Sequence, residues 1–370
     1  MNEEKPARLR ARNAVATMKE YRPPLSGRTG LRLDFNENTL SCSPRVAAKL
    51  REISADKLTI YPERQPVEAL TAEHLGLPKE QVLLTNGVDE AIHLVCETYL
   101  EPEHEVLIVV PTFSMYEIYA LSTGARVITI QADPEEEFRF PIEKVLAAIR
   151  PQTRLIALAT PNNPTGAVVS TKSIARILEA APQAAVLIDE AYFHFHGETV
   201  LPQIANYSNL FVARTFSKAY GLAGLRIGIL AGSPEQMKMV RKVSSPYNVN
   251  EVALLCLPVA LADQEFIADY VSQIKEGRER LQQELIGLGI RSWQSHANFV
   301  LTRIGEKRVE FVQAMRKRGI LVRDRNSDPG CAGCVRITIG TSEQMDRLFV
   351  ALHESLEEIR FVPATTQVRS

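Results

Sequence analysis

Short uninterrupted apolar runs recur through the middle of the chain, at residues 106–110, 127–130, 155–159, 185–188, 210–213 and 227–230. Runs this short, bounded by polar and turn-forming residues, match strands buried on both faces better than helices. The stretches between them read as helices. Strand alternating with helix predicts a mostly parallel sheet covered by helices, with ligands at the carboxyl ends of the strands.

Around this block the pattern is helical. Pro44 opens a helical spacing through Val46, Leu50 and Ile53, and residues 67–75 read as a second helix. Asn86-Gly87 is a tight turn before a helical run to Leu100. Residues 251–288 read as one long helix, with a break expected near Pro258, leading into a second alternating region. There 299–301, 320–323 and 335–339 read as strands and 307–318 as a helix. Thr341-Ser342-Glu343-Gln344 has the capping-box spacing for a last helix. The polar residues 1–44, with Pro23-Pro24, read as an extended arm over the body. The tail from Pro363 is expected to be loose. The division expected is therefore 1–44 as the arm, 45–250 as a large domain and 251–370 as a small one.

Composition narrows the function classes. The 370 residues are 45% hydrophobic and 24% charged, an ordinary globular mixture, and the net charge of −1 gives no electrostatic case for nucleic acid or an anionic membrane. No apolar run approaches the roughly 18 residues a membrane helix needs, and residues 1–12 lack the apolar core of a signal peptide. Five cysteines, 42, 96, 256, 331 and 334, read as reduced thiols of a cytoplasmic protein. Cys331-Ala332-Gly333-Cys334 has the spacing of half a zinc site, but no second pair accompanies it, so no metal is expected.

The candidate chemistry lies at strand ends. In residues 209–228 an apolar run ends at Thr215-Phe216-Ser217-Lys218, and Arg226 follows eight residues after the lysine. Burial favours the neutral amine, the form that attacks a carbonyl. Thr215, Ser217 and Arg226 would suit a phosphate on the same compound. Asp189 and Tyr192, in Leu187-Ile188-Asp189-Glu190-Ala191-Tyr192, put a carboxylate at another strand end. Buried there, it calls for a cation, which a protonated pyridine would provide. Pro161-Asn162-Asn163-Pro164-Thr165-Gly166 ends a third strand. The turn at Val88-Asp89 offers free N–H groups to an anion, and it also reads as a plain helix start. Phe113 also fits a core position, Asn163 a simple turn, and Arg323 a surface pair with Asp324. No G-x-G-x-x-G follows a strand, which argues against a nicotinamide cofactor.

Taken in order, N-P-T-G, D-E-A-Y, S-K and R-I-G make the chain resemble the aspartate aminotransferase-like aminotransferases, over about residues 21–356. Within that group it is most similar to histidinol-phosphate aminotransferases, on Asp34-Phe35-Asn36-Glu37-Asn38, Tyr61-Pro62, Gly87-Val88-Asp89-Glu90, residues 111–116 and residues 335–341. The resemblance implies the PLP-dependent transferase-like α/β fold, with a mostly parallel seven-stranded sheet between helices and a smaller α/β domain. It implies pyridoxal 5'-phosphate held covalently by Lys218, with Asp189 on its ring nitrogen and Asn163 and Tyr192 on its hydroxyl. Phe113 would stack on the ring. The backbone of Val88 and Asp89, with Thr215, Ser217 and Arg226, would hold the phosphate. Tyr61 would reach that phosphate from the second subunit of a homodimer. Arg336 would take the substrate's anionic end, with Arg323, Tyr21 and Asn36 nearby.

Two departures bear on the substrate side. Thr39-Leu40 stand where proline and glycine usually follow Asn-Glu-Asn, and Phe113 lacks the hydroxyl of the tyrosine often found there. The expected reaction is a ping-pong exchange of histidinol phosphate and 2-oxoglutarate for imidazole-acetol phosphate and glutamate. An aromatic or broad-specificity aminotransferase and a decarboxylase of amino-acid phosphates are the alternatives.

Overall fold

The computed structural model describes residues 9–363, so the expectations for the first eight residues and for the tail after Pro363 fall outside it. Seven strands form the main sheet, in the spatial order β2 (Val82–Thr85), β8 (Gly228–Gly232), β7 (Leu210–Thr215), β6 (Ala185–Asp189), β5 (Thr153–Ala159), β3 (Glu105–Val110) and β4 (Arg126–Gln131). The five strands from β7 to β4 run parallel, whereas β8 is antiparallel to both β7 and β2. Each expected run is a strand here. The seventh, β2, is not among the expected runs; it is only four residues long and ends directly at the Asn86-Gly87 turn. One expectation fails: β4 is an edge strand with no fully buried residue, not a strand buried on both faces.

The period-2 geometry of a strand sends alternate residues into two cores. Leu84, Ile156, Val186, Ile188 and Val212 face one apolar cluster, and Leu83, Leu155, Leu187 and Phe211 face the other. Ile174 and Ile177 of the helix Thr171–Ala180 close the first face. Ala91, Ile92 and Val95 of the helix Gly87–Tyr99, with Met237 and Val240, close the second. Each such buried aliphatic side chain contributes roughly 1.5–3 kcal/mol, an upper range because the unfolded chain is itself partly collapsed.

The C-terminal part holds a three-stranded antiparallel sheet, β11 (Arg323–Asp324), β12 (Cys334–Thr338) and β9 (Phe299–Arg303). Its apolar residues, among them Val300, Val335 and Ile337, join the first cluster. The expected strand at 320–323 is split. β10 (Ile320–Leu321) pairs in parallel with β1 (Leu31–Arg32) of the N-terminal segment, and β11 pairs with β12. That pairing ties the N-terminal segment to the C-terminal part. The expected helix break at Pro258 is also corrected. Pro258 sits within the helix Glu251–Ala262, and the chain breaks at Asp263, whose carboxylate takes the Ser43 hydroxyl and lies 3.8 Å from Arg45. The helix Gln264–Gly287 follows. The final helix, Ser342–Glu358, starts with the expected capping box.

Candidate active site

Asp189 and Thr215 close the parallel strands β6 and β7, and Ala159 closes β5, so their chemistry meets at one edge of the sheet. Beyond Thr215 the backbone turns tightly. Ser217 N–H donates to Thr215 Oγ1 at 3.0 Å, Gly221 N–H to the Lys218 carbonyl at 3.1 Å and Leu222 N–H to the Phe216 carbonyl at 3.0 Å. Gly221 has φ +69°, and a Cβ there would lie 2.7 Å from the Ser41 carbonyl oxygen, so this close approach needs glycine. The turn delivers Lys218 into a cavity of about 280 Å³. Its Nζ donates to the Phe35 carbonyl at 3.1 Å. Burial, then the Arg336 guanidinium, lowers the amine to about 8, while Glu37 acts in the opposite sense. A neutral, nucleophilic amine is therefore accessible near neutral pH.

Asp189 lines the same cavity. It accepts the Tyr116 hydroxyl at 2.6 Å and the Ala191 N–H at 2.9 Å. Both donors are neutral, and burial dominates them, lifting the carboxyl to about 6. Tyr192 is buried with its hydroxyl accepting from Asn36 Nδ2 at 2.9 Å, and burial raises its pKa. Asn36, itself in the left-handed region at φ 56°, donates its N–H to Thr338 Oγ1 at 3.0 Å, and its Oδ1 accepts from the same hydroxyl at 3.1 Å. It thus fixes Tyr192 to the C-terminal sheet. Asn163 Oδ1 accepts from Arg336 Nη1, and Arg336 Nη2 donates to the Asp34 carbonyl at 2.7 Å. Arg336 is 4% exposed, and burial pulls it down to about 9.

Another part of the cavity is built for an anion. Asn86 precedes the helix Gly87–Tyr99 without capping it by its side chain; instead Glu90 accepts the Asn86 N–H. The first helical N–H groups, including those of Val88 and Asp89, point out of the helix with its positive dipole end. Gly87 has φ +76°, and a Cβ there would meet Arg226 Nη2 at 2.6 Å. Arg226 also adopts the left-handed conformation, at φ 51°, and its Nη2 lies 3.0 Å from Asp89 Oδ2. An arginine held there costs about 1–2 kcal/mol of backbone strain, the kind of expense found where a side chain must be aimed. Thr215 and Ser217 add hydroxyls to the same cavity.

Lys218, Asp189, Tyr192, Asn163, Phe113, Val88, Asp89, Thr215, Ser217 and Arg226 all line this cavity, as do Arg336, Arg323, Tyr21 and Asn36. Tyr61 does not; it is 78% exposed and stacks on Tyr247 with centroids 4.4 Å apart. Arg323 is not paired with Asp324, which faces Arg308 at 3.5 Å; its guanidinium lies 5.1 Å from the centre of the Phe35 ring. Cys331 and Cys334 are buried free thiols beside Trp293 and Phe138. The donor set fits pyridoxal 5'-phosphate: a carboxylate held by neutral donors alone awaits a cationic partner, and the helix start, two hydroxyls and an arginine suit a phosphate.

Several participants escaped the sequence reading. Tyr116 lies in the quoted 111–116 stretch, but nothing in its spacing shows that it faces Asp189. The Phe35 carbonyl, a backbone atom, leaves no side-chain signal. Glu190 and Arg214 form a buried pair at 2.8 Å, and Glu190 also accepts the Val200 N–H at 2.8 Å; they brace the ends of β6 and β7. Arg325 joins the cavity wall as well.

The family described as aminotransferase class I and II matches residues 28–352. A histidinol-phosphate aminotransferase of Geobacillus sp. (strain WCH70) is 35% identical over 339 residues, covering 90% of this chain and 92% of that one. One from Moorella thermoacetica is 33% identical over 365 residues, covering 94% and 93%. The fold is similar to that of Sinorhizobium meliloti histidinol-phosphate aminotransferase in complex with pyridoxal-5'-phosphate, with a TM-score of 0.83, 24% identity, and coverage of 96% and 99%.

Proposed function

Because this chain belongs to the class I and II aminotransferase family, we propose that it transfers the amino group of histidinol phosphate to 2-oxoglutarate, giving imidazole-acetol phosphate and glutamate. The observation that carries this reading is a half-buried lysine and a buried carboxylate on one cavity whose wall also holds Arg323 and Arg336. The name shared by relatives covering nine-tenths of the chain supports the donor.

Pyridoxal 5'-phosphate, when bound, supplies a reactive carbonyl and a ring that withdraws electrons from the substrate carbon. Asp189 would pair with the ring nitrogen, and Asn163 and Tyr192 with the ring hydroxyl. Phe113 would cover a ring face. Thr215, Ser217, Arg226 and the N–H groups of Val88 and Asp89 would hold the phosphate. Lys218 Nζ would hold the cofactor covalently and would serve as the general base that takes the proton from the donor carbon. Its pKa near 8 suits that role. Arg336 and Arg323 would hold the donor's anionic end, with Tyr21 and Asn36 beside it. Phe35, Asn36 and Glu37 line the cavity, where they would exclude water and strengthen these contacts.

The working unit is a homodimer in which Tyr61 reaches the second subunit's phosphate site; the open stacked pair of Tyr61 and Tyr247 supports this. Residues 45–250 act as the cofactor-binding domain and 251–370 as the smaller one, with the arm of 1–44 over the site. Among the described residues no helix is long and apolar enough to cross a membrane, and the free cysteines suit the cytoplasm. A panel of amino donors with 2-oxoglutarate, read as glutamate formed, tests the assignment. Histidinol phosphate should be the best donor. No turnover of it beside good turnover of phenylalanine would replace the substrate.

A further inference from the structure

Arg323 and Arg336 are direct cross-strand partners on β11 and β12. Like charges placed opposite one another repel, so this pair is poorly explained by stability. Arg325, two residues beyond Arg323, lines the same cavity. Its Nε and that of Arg336 are buried without a hydrogen-bond partner. Against these three guanidinium groups the nearby turn supplies one carboxylate, Asp328, which pairs with Arg325. Asp34 and Glu37 are balanced elsewhere, accepting from Arg28 at 2.7 and 2.8 Å, with Arg32 a second cation 3.7 Å from Glu37.

The turn that carries Arg325 is closed on itself. Arg325 N–H donates to the Cys334 carbonyl, Asp328 N–H to the Arg325 carbonyl and Cys331 N–H to the Asp328 carbonyl, each at 3.0 Å; Gly333 N–H donates to Asn326 Oδ1 at 2.9 Å. Held this way, and latched by Asp328, the Arg325 side chain is only 13% exposed. A flexible surface arginine would instead turn outward to water.

Building on the reaction proposed above, we infer that Arg325 is a specificity-determining residue, which with Arg323 and Arg336 forms a site for a dianionic phosphate monoester at the donor's anionic end. Three cations against one carboxylate leave two positive charges. A phosphate monoester brings about −1.5 to −2 at neutral pH and three strong acceptor oxygens, which guanidinium forks can engage pairwise. A carboxylate brings one charge and leaves a cation uncompensated in a site shielded from water.

The test compares holoenzyme and its Arg325→Gln and Arg325→Lys variants on histidinol phosphate and on histidine, with inorganic phosphate binding to each holoenzyme measured by calorimetry. For R325Q, kcat/KM on histidinol phosphate should fall about 10- to 100-fold, the size of one lost hydrogen bond to a charged group, and mainly through KM. The fall on histidine should stay within about threefold, since that bond is not made to a carboxylate donor. R325K should recover part of the loss, and affinity for inorganic phosphate should follow the same order. An equal fall on both donors, or none on the phosphorylated one, overturns the inference. If the parent enzyme does not turn over histidinol phosphate, the proposed reaction fails instead. The phosphate titrations then still decide the anion site: unchanged affinity in R325Q overturns it.

Discussion

Replacing Asp189 with asparagine should stabilise the cofactor-free protein while weakening its hold on the cofactor. Asp189 sits at the end of β6 with only a tyrosine hydroxyl and a backbone N–H as donors, and burial raises its carboxyl from 3.8 to about 6. A carboxyl whose pKa is raised by folding favours the folded state while protonated, and that advantage is lost as pH rises through the folded value. At about 1.36 kcal/mol per pKa unit, the ionised group costs the apoprotein up to ~3 kcal/mol at pH 8, ~1.5 kcal/mol at pH 5 and under ~1 kcal/mol at pH 4. Asparagine keeps the shape and an acceptor for Ala191 and carries no charge. With an unfolding entropy of about 2.1 cal/mol/K per residue over 370 residues, ~3 kcal/mol corresponds to a rise of about 4 °C in Tm. Scanning calorimetry of apo Asp189→Asn and apo parent at pH 4, 5 and 8 measures it. The variant's gain should grow with pH, and with saturating pyridoxal phosphate the order should reverse. No gain at pH 8, or the same gain at all three values, would refute the electrostatic account.

Two further perturbations address the amine and the phosphate end. Capture of pyridoxal phosphate by the apoprotein should speed up with pH to about 8 and level off above it, because the reactive form of Lys218 is the neutral amine. In Arg336→Gln the plateau should begin at higher pH, since a charge that depresses the amine is gone; stopped-flow absorbance reads both, and an unmoved profile counts against Arg336 as a cause. Gly87→Ala sets a Cβ 2.6 Å from Arg226 Nη2 at a left-handed φ. It should weaken pyridoxal phosphate at least about tenfold and cost about 1–2 kcal/mol of stability; equal affinity by titration would remove Gly87 from the anion site.

The strand pattern was legible because a doubly covered sheet needs continuous apolar runs, and the chemistry followed because ligand groups gather where those strands end. Asp189 sits at such a boundary, Lys218 and Asn163 just past one, and Arg226 just ahead of the antiparallel β8. What could not be read depends on distant approach. Pro258 suggested a helix break, but the helix runs on through it to Ala262, and the break falls at Asp263, where Ser43 and Arg45 converge. Residues 320–323 looked like one strand because local pattern carries no record that Leu31-Arg32 takes half of it. Tyr116 and the Phe35 carbonyl touch Asp189 and Lys218 across 73 and 183 residues of chain. Arg325 was hidden by its surroundings, since an arginine among Asp, Asn and Ser reads as surface until the turn is seen folded against the cavity.

The central claim is that one amine, that of Lys218, holds the cofactor. Holoprotein reduced with borohydride and digested should carry the pyridoxyl-phosphate mass on the peptide containing Lys218, and Lys218→Ala should carry none after the same treatment. Label on another lysine, or a parent protein that gains no mass, would contradict the account.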